Sequence, residues 1–395
     1  MGIQEKGRHI RVSGAMIFGA MLMSSTVSFA EEMDHSKHGE MDHSQHAGME
    51  HAAAAQASEH VHHAHGAGQW MFEYRFMRMD MDGLIDGTDS VDSMDISGAN
   101  MVMPSGTPPM KKANKDYMMA PTEMTMDMHM LMVMYGLDDK ISLMGMVHYL
   151  KNDMDMVMHM YTPVTVPTPP PPPDTYAGDM EGSMDTSGLG DTQIGAMYKV
   201  DKNLTASLML SVPTGDIDQK VDMAMTGTNI LNGMPMTSSR TDMQAPYAMQ
   251  LGTGTYDLIP SISYIASANQ WTYGGQAEYR YHIGENDNEY TWGNKLKLGG
   301  YGKYAVNKTV SVAGRLDYLK EDSIDGEDPD IAAMMAPTSD PDNYGGTRID
   351  ATIDVTGMFN GHTLGLAYTK PLKQDANGPQ MELQSIITLS WMYMM

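Results

Sequence analysis

Residues 271–283 read WTYGGQAEYRYHI. Trp271, Tyr273, Gly275, Ala277, Tyr279, Tyr281 and Ile283 fall on one face of a period-two pattern. Thr272, Gln276, Glu278, Arg280 and His282 fall on the other. Alternation over this length predicts a β-strand with one apolar and one polar side. Residues 203–212, NLTASLMLSV, repeat the pattern, with Leu204, Ala206, Leu208, Leu210 and Val212 opposite Thr205, Ser207, Met209 and Ser211. Residues 310–318, VSVAGRLDY, place Arg315 and Asp317 on the polar side. Twelve such segments start near 69, 119, 141, 188, 203, 253, 270, 290, 309, 346, 362 and 380, and helix signals are weak throughout.

The connections decide between the all-β architectures. Those at 136–140, 200–203, 267–270, 306–308 and 359–362 are short. Those at 84–118, 161–187, 213–252, 284–289, 320–345 and 371–379 are mostly long. Short and long alternate, as in an outer-membrane barrel with periplasmic turns, extracellular loops and an even strand number. A β-sandwich has no reason to sort its loops by end. The expected fold is a transmembrane, antiparallel, up-and-down β-barrel of about twelve strands over 69–395, with apolar faces to lipid and polar faces to the lumen. Trp70, Phe72, Tyr74, Trp271, Tyr290, Trp292, Trp391 and Tyr393 are the expected interfacial aromatics.

The first thirty residues give the compartment. A basic region (Lys6, Arg8, Arg11), a ten-residue apolar stretch at 14–23 and the small-x-small site Ser28-Phe29-Ala30 read as a secretory signal peptide over 1–30. Removing Lys6, Arg8, Arg11 and Glu5 from 25 basic and 50 acidic residues leaves 22 and 49, a net charge of −27. Nucleic acid is therefore not an expected partner. There is no cysteine to form a disulfide.

Residues 31–68 are expected to be a disordered periplasmic tail, since little in them can be buried. Met33-Asp34-His35, Met41-Asp42-His43 and Met49-Glu50-His51 recur every eight residues. His38 and His46 keep that spacing, and HVHHAH follows with His60, His62, His63 and His65. Nine of the fifteen histidines lie between 35 and 65. Thioethers suit Cu(I), and imidazoles suit copper, zinc and nickel. The tract reads as a copper-capturing segment needing no resident cofactor, with periplasmic metal-handling proteins as partners. It resembles the N-terminal region of copper-resistance outer-membrane proteins of the B type.

Residues 188–200 (GLGDTQIGAMYKV), 211–218 (SVPTGDID), 251–264 (LGTGTYDLIPSISY), 274–298 and 377–384 resemble the outer-membrane transporter family named for meta-pathway phenol degradation. The resemblance implies a barrel acting as a channel for small solutes, and no enzyme. It is looser over 69–160, where methionine crowds the strands. MTMDMHMLMVMY (124–135) has Met at every second position from 124 to 134, and Met154, Met156, Met158 and Met160 repeat this. Glu123, Asp127, His129, Lys151, Asp153, Asp155 and His159 occupy the opposite faces. Because charge on lipid is costly, the acids are expected to face the lumen and the methionines lipid. The lumen is then lined by Glu278, Arg280, Lys295, Lys297, Arg315, Asp317, Arg348, Asp350 and Asp354, a charged interior able to set selectivity. Acidic residues crowd the loop 320–345, which suits a surface bridged to lipopolysaccharide. No GxSxG motif occurs, and no serine lies beside a barrel histidine in sequence, so an enzyme is not expected. These features point to a metal-tolerance channel with a copper-capturing tail, or alternatively to a channel for small aromatic solutes.

Overall fold

The structure, a computed structural model, describes residues 66–100, 111–112, 115–162 and 174–395. The signal-peptide region and the metal-capturing tract, from Met33 to His65, lie outside these residues. The main strands are β1 Trp70–Gly87, β2 Ala120–Gly136, β3 Ile141–Thr162, β4 Thr175–Leu189, β5 Thr192–Lys199, β6 Leu204–Val212, β7 Lys220–Thr228 and β8 Pro235–Gln244. They continue with β9 Tyr256–Ala268, β10 Trp271–Ile283, β11 Lys295–Ala305, β12 Val310–Glu321, β13 Gly346–Phe359 and β14 His362–Met394. A one-turn helix, α1 Ser93–Ile96, follows β1.

These strands close into one antiparallel barrel. β14 reverses direction within itself: residues 362–376 run antiparallel to β13 and 376–394 run antiparallel to β1, so β14 crosses twice. β4 and β5 share one crossing, broken at Gly190–Asp191, where β3 passes from one to the other. β7 and β8 form a hairpin that joins the wall only through β4, above the mouth. Counted this way, the described residues make twelve crossings. The wall seals where Trp70 N–H donates to Met395 O (2.8 Å) and Met395 N–H returns to Trp70 O (2.9 Å).

The turns at one end are tight. Asn360 and Gly361 both have positive φ, 48° and 78°, as a two-residue type I′ hairpin requires. The outer face carries an apolar belt that includes Leu131, Val133, Leu143, Val147, Leu316, Ile353, Leu366 and Leu389. Tilted aromatic pairs bound it below, with Trp70 against Tyr135 (4.6 Å) and Trp271 against Tyr304 (5.1 Å). On β1–β3 the belt ends above at Tyr74, Phe76, His129 and Tyr149. Such girdles mark the edges of the hydrocarbon.

Above this upper girdle β1–β4 continue as a tall wall, and here one expectation fails. The methionine faces of β2 and β3 point inward: Met124, Met130, Met132, Met134, Met154, Met156, Met158 and Met160 are each at most 2% exposed. Glu123, Asp127, Lys151, Asp153 and Asp155 lie on the outer face. The reason is height. A barrel strand needs ~9–11 residues to span the membrane, and β2 and β3 have 17 and 22. Their acids sit above the belt in water. There Arg78 donates twice to the Asp127 carboxylate, at 2.7 and 2.6 Å. Tyr290 and Trp292 also depart from expectation. Tyr290 is buried with Tyr247, Ile324 and Ile331, and half-buried Trp292 and Tyr344 pack against them, in an aromatic cluster that folds the long loops over the mouth.

Candidate functional site

Because inward residues alternate with lipid-facing ones, the register of the wall fixes what lines the interior. Across β14, β1, β2 and β3 the inner positions at one level are Met394, Met71, Met134 and Met144, each paired to the next. Nearer the mouth Met81, Met124, Met154 and Met184 pair in the same way across β1–β4. Each is a rung of four thioethers on four neighbouring strands. Met77 with Met128 and Met79 with Met126 lie between them on β1 and β2. One side of the interior is thus a methionine wall running the height of the barrel. In it the lower cluster contains only one buried non-methionine, Ile259.

The opposite side, β9 to β13, is charged. All nine residues expected to line the lumen lie on its inner face. They are largely matched by neighbours two residues along the same strand or across a seam. Arg315 donates to Asp317 at 2.7 Å, and Arg348 to Asp350 at 3.0 Å. Lys295 reaches Glu321 at 2.9 Å, and Glu278 stands opposite Lys297. Asp354 is buried on β13. Gly299 makes room for the Arg315–Asp317 pair, since a Cβ there would collide with the Asp317 carboxylate. Pairing of this kind lowers the cost of burying charge.

Five residues extend this set. Fully buried Asp257 accepts from His282 Nδ1 (2.8 Å) and Thr255 Oγ1 (2.7 Å), with Arg280 at 3.4 Å. Within the methionine wall, Arg75 donates to Glu73 at 2.7 Å, and both are buried. The aromatic run Trp70, Phe72, Tyr74, Phe76 signals this phase, since it commits the even positions of β1 to lipid.

Between the two walls lies a cavity of about 300 Å3. Met128, His148 and Leu150 line it from one side, and Arg280, His282 and Lys295 from the other; the 250–253 segment and Trp292 close it. Asp191, at the break between β4 and β5, holds that closing segment. Its carboxylate accepts from Gly215 N–H (2.9 Å), Thr253 N–H (2.8 Å) and Thr253 Oγ1 (2.9 Å). The site therefore offers a small chamber with an apolar, adaptable side and a polar, fixed side. Below it, the lower rung is packed shut: Met71, Met134 and Met144 are 2–4% exposed.

A second polar constellation sits on the upper wall. Ser93 Oγ lies 3.0 Å from His159 Nε2, and His159 Nδ1 lies 2.6 Å from Asp179 Oδ1. Ser93 was not legible as a partner of His159, because the two are 66 positions apart. The connectivity is that of a nucleophile–base–acid relay. However, the amide after the serine, which would stabilise an oxyanion in the common arrangement, is already taken: Met94 N–H donates to the Asp92 carboxylate (2.9 Å). A negative charge there opposes an oxyanion. The contacts tether α1 to β3 and β4.

No protein-family model matches the sequence, and no characterised protein matches it. Among solved structures, the chain is similar to an outer-membrane channel from Pseudomonas putida F1. The TM-score is 0.51 at 12% identity, over 86% of this chain and 100% of that one. It is also similar to a Pseudomonas aeruginosa FadL homologue (TM-score 0.41, 11% identity, 82% and 90% covered) and to the CymD monoaromatic hydrocarbon channel (0.44, 9%, 83% and 89%). At such identity the likeness speaks to the fold, an outer-membrane-type barrel.

The lid over the chamber is expected to be sensitive to alkali. The Tyr247 hydroxyl oxygen accepts from Asp328 N–H (2.8 Å). Tyr117 accepts from Asn343 Nδ2 (2.9 Å). Burial pushes both phenols up to about 12. Raised phenol values favour the protonated, docked form, so the contribution is complete below pH ~10 and is lost as pH rises through ~12. Trp292 emission is expected to hold steady to pH 10 and to shift red between 10 and 12. Tyr247→Phe is expected to move that transition; an unchanged profile in this variant would contradict the assignment.

Proposed function

We propose that the protein is an outer-membrane channel for small apolar or amphipathic organic solutes, which move along the methionine wall. The observation that carries this is the inward orientation of Met124–Met134 and Met154–Met160. It replaces the uniformly charged lumen expected from sequence with an interior that is apolar along one side. Methionine suits such a path. Its three side-chain torsions and polarizable sulfur adapt to ligands of different shape and pack well on aromatic rings. The chamber lies near the lower limit of typical small-ligand sites, ~300–1,000 Å3. A solute of one ring fits that scale. The paired charges opposite orient polar substituents and keep the bore narrow.

Met128→Trp, which fills the chamber from the methionine side, is the direct test. In proteoliposomes it is expected to cut uptake of a single-ring aromatic solute about tenfold, the loss equivalent to ~1.4 kcal/mol. Equal uptake by variant and wild type would sink the chamber as the route.

A second proposal concerns the tail. Residues 31–68 gather copper, as Met and His donors permit. The supporting observation is that the chain enters the wall at Trp70, one residue before Met71 of the lower rung. A strain lacking the gene, complemented with full-length protein or with residues 33–65 removed, tests it. Full length is expected to restore growth in copper and the truncation to fail. Normal growth of the uncomplemented strain would remove the metal role of the tail.

A further inference from the structure

Sulfur is sorted by face in this barrel. The lipid side of the spanning strands carries Leu, Ile, Val and aromatic residues, while the inner side of β1–β5 carries methionine. Among the described residues, the strongly exposed methionines are Met94, Met234, Met334 and Met395, all of them outside the main strands. Burial does not explain this. Leucine has nearly the same volume, exchanges with methionine at small cost and holds its rotamer better. The outer positions of the same strands carry Leu131, Val133, Leu143 and Val147 and no methionine, so the split by face is a choice of sulfur over carbon. What the thioether adds is a soft lone pair, which selects Cu(I) and chemically similar monovalent ions.

We propose that the methionine rungs inside the barrel bind soft monovalent cations, Cu(I) or Ag(I), in thioether-only sites. Directly opposed residues on neighbouring strands have Cβ atoms ~4.5–5.5 Å apart. Flexible methionine side chains at that spacing can turn two or three sulfurs onto one ion. The lower rung, Met71, Met134, Met144 and Met394, meets this on four successive strands. The rung near the mouth meets it again. Three of the four methionines of the lower rung, Met71, Met134 and Met144, are buried, which suits a weakly hydrated soft ion and disfavours hard ones. The inference does not depend on organic-solute transport, because it concerns ion binding at the thioethers themselves.

The test uses the full-length chain in detergent micelles with [13C-methyl]methionine, titrated with silver nitrate as an air-stable probe. Resonances are assigned by single Met→Leu changes. The methyls of Met134 and Met144 are expected to shift in slow exchange and saturate at low equivalents. Combined Met71→Leu, Met134→Leu and Met144→Leu is expected to lower the bound Ag+ count by one in native mass spectrometry. The Ag+ count is read without any transport step, so its failure and the failure of the transport reading are distinguishable. If the triple variant does not fold, Met134→Leu alone and the wild-type titration still decide. Shifts confined to Met33, Met41, Met49 and the exposed Met234 and Met334, or an undiminished count in the Leu variant, would overturn the proposal.

Discussion

A backbone N–H or C=O left unpaired in hydrocarbon costs several kcal/mol, so a sheet can cross a membrane only if it has no edge. Here that requirement is met by the seam between the first and last strands, pinned by reciprocal bonds between Trp70 and Met395. Everything else inherits from that closure. It fixes the register, the register fixes which alternate residues look inward, and the inward residues create the site. A slip of one residue would exchange the two faces of a strand. In β2 that would send Leu131 and Val133 inside and turn six methionines outward, with Met130, Met132 and Met134 on lipid.

Closure also explains why the interior is divided. The charged side is built from pairs two residues apart on one strand, such as Arg315–Asp317 and Arg348–Asp350. These are the nearest same-face neighbours a strand provides. They satisfy one another without help from the opposite wall. The methionine side needs no partners and can stay adaptable. The chamber forms where the two meet, beneath loops that Asp191 and the Tyr247–Tyr290–Tyr344 cluster hold over it. Rigid polar groups on one side and mobile apolar ones on the other are a common recipe for binding small molecules with modest selectivity.

The barrel was legible because alternation and loop sorting are local signals. In β10 the aromatics Trp271, Tyr273, Tyr279 and Tyr281 all choose one face, so Glu278 and Arg280 are placed without ambiguity. In β2 and β3 the same logic misleads. Charges at Asp127, Lys151 and Asp153 share a face with Leu131, Val133, Leu143 and Val147, and a rule that sends charge inward turns the strand over. The rule assumes that the whole strand lies in the membrane; these strands outrun it. Comparing the kind of apolar residue, with Leu and Val on one face and Met on the other, would have resolved the phase. Tyr290, Trp292 and the Ser93–His159 contact were beyond reach because they depend on how distant loops dock. The tail residues from Met33 to His65 lie outside the described structure, and their metal chemistry rests on sequence.

The orientation of the methionine face is the claim on which both readings of the interior stand. The chain has no cysteine, so single-cysteine variants report one site each. Leu131→Cys and Met132→Cys, labelled with a small fluorophore in the denatured state and refolded into bilayers with nitroxide-bearing lipid chains, give the most direct comparison. The account requires strong quenching at 131 and weak quenching at 132. Strong quenching at 132 with weak quenching at 131 would turn the strand over and remove the thioether wall from the interior.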